Sequence, residues 1–139
     1  MTKSASQKSV AVASIKSLGG ATPNFDMPIK ASRADGSVVE LTIKVKGMRK
    51  SEWARIRDEH IAMLREKGDE QGGEFTFAKL ASAGSKEAAE LVAKAATGWD
   101  LEDDFTAENM VEIEDLVPGS ISTILGGIDA ALFNGRVGN

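Results

Sequence analysis

The sequence predicts one α+β domain, mostly helical, in which a β-hairpin is followed by four to five helices. Three observations carry this. Residues 38–46 alternate strictly: Val39, Leu41, Ile43 and Val45 interleave with Glu40, Thr42, Lys44 and Lys46, the period of a half-buried strand. Further on, apolar residues recur at spacings of three and four, the period of a helix face. The 139 residues are 42% hydrophobic and 27% charged, which suffices for one self-sufficient core. Only 5% are aromatic and none is Tyr, so that core must rest on aliphatic side chains.

Residues 1–22 are rich in Ser, Ala, Lys and Gly, carry no period, and predict a flexible arm ahead of a folded domain over 23–139. "FDMPIKAS" is an extended run that Pro28 assigns to a sheet edge. In "RADGS", Asp35-Gly36 supplies residues that tolerate the positive φ of a hairpin turn. "VVELTIKVKG" completes the hairpin and Gly47 ends it. In "RKSEWARIRDEHIAMLREKG", Ser51 is the candidate N-cap. Trp53, Ile56, His60, Met63 and Leu64 share a face, and Gly68 is the expected stop. "DEQGGEF" predicts a loop and "TFAKLAS" a short helical turn.

Ser85 opens "KEAAELVAKAAT", with Ala88, Leu91, Val92 and Ala95 on its apolar side and Gly98 as its C-cap. Thr106 caps "AENMVEIEDLV". Met110, Ile113, Leu116 and Val117 line one side of that helix, and Glu108, Glu112 and Asp115 lie mostly on the other. Glu108 also complements the helix dipole. After the Pro118-Gly119 break, Pro118 or Ser120 starts "SISTILGGIDAALFNG", buried through Ile121, Ile124, Leu125, Ile128 and Leu132 and closed by Gly135. Gly126-Gly127 inside it costs about 1 kcal/mol per Gly relative to Ala. That expense points to close backbone approach to another helix, or to a bend.

The chemistry is sparse. There is no Cys, which excludes disulfides, thiolate zinc sites and Cys nucleophiles. No run reaches the ~18 apolar residues of a membrane span, and Ser14 and Lys16 interrupt "VAVASIKSLGG", so the expectation is a cytosolic protein without a membrane partner. Eight carboxylates fall between Asp100 and Asp115. A calcium loop alternates its acids around a central Gly; Asp100, Glu102, Asp103 and Asp104 have none between them, so a solvated acidic loop without a metal is expected. His60 is the single His and lacks the nucleophile or orienting partner of a catalytic base. The Gly pairs lack a phosphate-binding frame. Neither an enzyme nor a cofactor is predicted.

Net charge is −4 but unevenly spread: residues 1–65 hold twelve Lys/Arg against six Asp/Glu, and residues 66–139 hold five against fifteen. This polarity fits a homo-oligomer in which Lys44, Lys46 and Arg49 of one copy meet Asp100, Asp103 and Asp104 of the next. It equally fits two halves that neutralise each other within one fold. An apolar contact through Ile124, Ile128 and Leu132 is the uncharged route to the same assembly. The basic segment 44–57 is the one candidate for nucleic acid, but the chain is acidic and no aromatic residues interleave with its lysines for stacking.

The stretch "GWDLEDDFTAENMVEIEDLVPGSISTILGGIDAALFNGRVGN" resembles the tail assembly chaperones of long-tailed bacteriophages. The shared features are a Trp-acid element, the helix start Phe105-Thr106-Ala107-Glu108-Asn109, a Pro-containing break at Pro118, and a last apolar helix closing on Gly135-Arg136-Val137-Gly138-Asn139. Residues 25–67 match more loosely through "ELTIKVKGM" and "SEWARIRDEH"; "EQGGEFTFAKLASAG" has no counterpart. The resemblance implies a non-enzymatic binding protein without a cofactor. It would coat the tape measure protein, keep it soluble, and help recruit the major tail protein. It would act in the host cytoplasm and be absent from the mature virion. Trp99, Leu101 and Phe105 then either anchor the acidic loop to the core or form a contact patch. The alternatives are a small tail-tube or head–tail connector protein, and a nucleic-acid-binding regulator using the basic segment.

Overall fold

The computed structural model describes residues 9, 11–20, 22–70 and 73–135. Of the expected arm over 1–22, residues 1–8, 10 and 21 lie outside the described residues; its described part includes a single 3-10 turn at Ile15–Leu18. Strands β1 (Phe25–Ser32) and β2 (Val38–Val45) form the expected antiparallel hairpin in unbroken register, Phe25 opposite Val45 and Ser32 opposite Val38. Alternation sends Met27, Ile29, Ala31, Leu41, Ile43 and Val45 inward. The opposite face carries Asp26, Lys30, Glu40 and Lys44, with Lys30 and Glu40 paired at 3.6 Å. In the turn, Gly36 takes φ +87°. Asp35 works through its side chain, accepting from the Ser37 amide at 2.9 Å and the Ser37 hydroxyl at 2.6 Å. These bonds hold its carboxyl below the usual range.

Helix α1 (Lys50–Glu70) starts one residue before the expected cap Ser51, with the Arg49 carbonyl accepting from the Trp53 amide. It also runs through Gly68, which faces open space. The cost of one exposed Gly, about 1 kcal/mol, does not stop a long helix. Trp53, Ile56 and His60 are buried, Met63 is half-buried, and Leu64 lies on the exposed shoulder. Helix α2 (Phe77–Ser82) is capped by the Thr76 hydroxyl accepting from the Lys79 amide at 3.0 Å. Helix α3 (Ser85–Ala95) has Gly84, in the left-handed conformation, at the cap position expected of Ser85.

The larger correction follows α3. Residues 96 and 97, expected to continue the helix, and Gly98, expected to cap it, belong to a third strand, β3 (Ala96–Trp99). It pairs antiparallel with β2, giving the order β1-β2-β3, with a register shift between Lys44 and Val45. The reason is tertiary. The open edge of β2 offers backbone partners: the Lys46 amide donates to Ala95 at 2.8 Å and the Asp100 amide to Thr42 at 3.2 Å. Satisfying these outweighs the helix propensity of two residues.

Helix α4 (Ala107–Leu116) starts as expected, the Thr106 hydroxyl accepting from the Asn109 amide at 3.1 Å. Leu116, however, is exposed. The chain turns by 117° into α5 (Ser120–Asn134), where Gly119 holds the cap position, φ +93°. Its first amides are held by a side chain not expected from the sequence: the Glu114 carboxylate accepts from Gly119 at 2.8 Å and Ile121 at 2.9 Å. Ile121, Ile124, Ile128 and Leu132 are buried, and Leu125 is half-buried. A Cβ on Gly127 would stand 2.9 Å from Met27 Sδ and 3.5 Å from Ile29 Cδ1, so the close approach is to β1 and not to another helix. Helix α3 packs against α1, α4 and α5, and the core lies between these helices and the inner sheet face.

Candidate interaction surface

The acidic stretch is an organised corner. Trp99 is buried, donates through Nε1 to the Asp103 carbonyl at 2.7 Å, and meets Phe105 edge-on at 5.1 Å between ring centroids. Asn109 Nδ2 donates to the Asp104 carbonyl at 2.7 Å. Asp100 Oδ1 accepts from the Thr42 amide at 2.9 Å, tying the loop to β2 beyond the end of β3. Of the two roles open to Trp99 and Phe105, the geometry supplies the anchor. Leu101 and Phe105 are half-buried against the core, while the carboxylates of Asp103 and Asp104 remain at the surface.

Strand pairing brings Lys44 of the expected charged interface near Asp100 of the same chain. Lys44 stands opposite Asp26 on one side and Gly98 on the other, two residues from Asp100. Lys46 is half-buried, and Arg49 Nε donates to the Gly20 carbonyl at 2.8 Å. No ion pair among the described residues joins Lys44, Lys46 or Arg49 to Asp100, Asp103 or Asp104. Ile124, Ile128 and Leu132 belong to the core, so a partner of the folded chain does not meet them.

Sequence reasoning overlooked Asp129, an acid on the otherwise apolar α5. Its carboxylate accepts from Trp53 Nε1 at 2.9 Å and from Arg57 at 3.0 Å, with the Arg57 guanidinium 5.9 Å from the Trp53 ring centroid. This clasp joins α1 to α5. A second clasp joins α1 to α3 through Lys67 and Glu87 at 2.8 Å, which keeps the Glu87 carboxyl below its ordinary range. His60 lies on the same α1 face; burial first, then the positive Arg57, pushes its pKa down. Among the described residues no group of three or more His, Asp or Glu is placed to hold a metal ion.

One surface feature unexplained by folding is α2. It has no buried residue. Phe75, Phe77 and Leu80 are 71%, 79% and 59% exposed, and the two Phe rings meet edge-on at 5.5 Å. Two clefts flank this ridge. One, toward α1 and α3, carries Leu64, Lys67, Lys79, Lys86 and Glu87. The other, toward α4, has Ala78, Ala81 and Val111 along it and Glu112 and Asp115 at its rim. The sequence does hold the signal: "FTFAKL" puts three large apolar side chains in a segment bounded by Gly73 and Gly84, too short to bury them.

No curated protein and no solved structure matches this chain. A family model does, that of the phage tail assembly chaperone, over residues 12–139. The match takes in the hairpin, all five helices, the Trp99–Asn109 corner and the α2 segment that the sequence resemblance left aside. By a match over most of its length, the chain belongs to the phage tail assembly chaperone family.

Proposed function

We propose that this protein binds the tape measure protein of its phage, keeps that long helical client soluble, and helps bring the major tail protein to it, without catalysing a reaction. One observation carries the reading: Phe77 and Leu80, on a helix that buries nothing of its own, and Phe75 just ahead of its cap stay exposed. Three large apolar side chains held in water are a cost to a monomer and a ready contact for an apolar helix. The charged outer sheet face and acidic corner keep a chain with such a ridge in solution. On this reading the protein acts in the host cytoplasm and leaves before the tail is complete.

The test is co-expression of the tape measure protein with the chain and with a Phe75→Asp/Phe77→Asp/Leu80→Asp variant. The wild-type chain should move the client into the soluble fraction and co-purify with it, and the variant should do neither. Because all three side chains are exposed, the variant should keep its stability within about 0.5 kcal/mol. A client that stays insoluble with the wild-type chain refutes the reading.

A further inference from the structure

We infer that the groove between α2 and α4 takes a basic amphipathic helix, with an apolar ridge flanked by Lys or Arg. The inference rests on the client-binding reading above and gives the chemistry of the segment bound. The groove has a volume of about 600 Å³. Ala78 and Ala81 keep its α2 wall low, so side chains of a partner can enter. Val111 and Pro118 give the opposite wall its apolar part, and Phe77 and Leu80, three residues apart on α2, stand exposed in the row next to Ala78 and Ala81. An apolar helix ridge laid here covers side chains that the fold leaves in water.

Charge selects among such helices. Lys30 pairs with Glu40, Arg55 with Glu59, Arg57 with Asp129 and Lys67 with Glu87. Glu112 and Asp115, both exposed at the groove rim, are in none of the ion pairs among the described residues. Glu114 between them is occupied by the first amides of α5. Two uncompensated carboxylates one turn apart beside an apolar strip attract a helix with basic flanks and repel one with acidic flanks.

The experiment titrates the full chain with three labelled 18-residue peptides: a Leu/Lys helix with Leu at i, i+3, i+4 and i+7, its Leu/Glu counterpart, and a scrambled Leu/Lys peptide. Binding is followed by fluorescence anisotropy and by amide shifts. The ordered Leu/Lys helix should bind saturably and shift residues 77–82 and 111–116. Glu112→Lys/Asp115→Lys should weaken it about tenfold, while Glu52→Lys/Glu102→Lys, with the same change in net charge, should not. Equal binding of the Leu/Glu or scrambled peptide, or no effect of the groove reversal, overturns the inference. So does sedimentation showing that the reversal dissolves a self-associated state, because the occupant is then a second copy. If the groove-reversed chain still solubilises the tape measure protein, the groove assignment falls and the chaperone reading stands. If the wild-type chain binds the Leu/Lys helix at the groove but leaves the client insoluble, the groove chemistry stands and the chaperone reading falls.

Discussion

At the residue scale, a few polar atoms and missing side chains fix how the helices meet the sheet. Trp53 is fully buried, and its indole N–H donates to Asp129. Asp129→Ala leaves that donor buried and unpaired and frees Arg57, so we expect a loss of about 2–3 kcal/mol in urea unfolding. Asp129→Asn keeps an acceptor and should cost about 1 kcal/mol. An equal loss in both would mean that the charge, and not the Trp53 bond, is what matters. The adjacent glycines of α5 separate in the same assay. A Cβ on Gly126 meets open space, so Gly126→Ala should stabilise by about 0.5–1 kcal/mol through helix propensity. On Gly127 the same atom presses on Met27 Sδ at 2.9 Å, and Gly127→Ala should lose that gain. Identical effects would show that α5 does not rest on β1 at this point.

At the element scale, the α1–α3 contact is sensitive to acid. His60 has a folded pKa below its ordinary 6.5, and Glu87 one below 4.5. The neutral imidazole is favoured by the fold, so the stability it contributes is complete above about 6.5 and is lost as pH falls from there toward its folded value. The ionised Glu87 is favoured by Lys67, so its contribution is complete above about 4.5 and is lost below that. The urea midpoint should therefore drop from pH 7 to 5, and drop again below pH 4.5. His60→Gln should flatten the first fall and leave the second. A variant that keeps the first fall would assign it to another group. Helix α2 contributes little to this balance, since it buries nothing, which leaves its apolar face free for a partner.

At the scale of the whole molecule, the pairing of β2 with β3 reorganises the charge. Residues 1–65 and 66–139 carry opposite signs in sequence, but Lys44 ends beside Gly98, and Thr42 holds Asp100. Lys44 and Asp100 therefore lie close together in one chain, which reduces the charge separation that head-to-tail packing needs. We expect the mass from light scattering to be the same at 0.05 M and 0.5 M salt, a range over which screening changes several-fold. An assembly that grows at low salt would show that the surface carboxylates of Asp103 and Asp104 still reach a basic patch on another copy.

What the sequence determined by itself is local. The hairpin follows from alternation between Val38 and Val45, and the α4 start from Thr106, because a period or a cap depends on neighbours within a few residues. The buried face of α5 follows from spacing alone, and the family resemblance rests on short motifs of the same kind. What only the tertiary structure decided depends on distant groups. Residues 96–99 are a strand because β2 leaves an edge open beside them. Asp129 matters because Trp53, 76 residues away, points a donor at it. Glu114 is a cap only once the chain has turned by 117°. The candidate site is of this second kind. In the sequence Phe75, Phe77 and Leu80 are only a loop and a short helical turn, and they form a surface because α1, α3, α4 and α5 already fill the core with Trp53, Leu91, Met110 and Ile128.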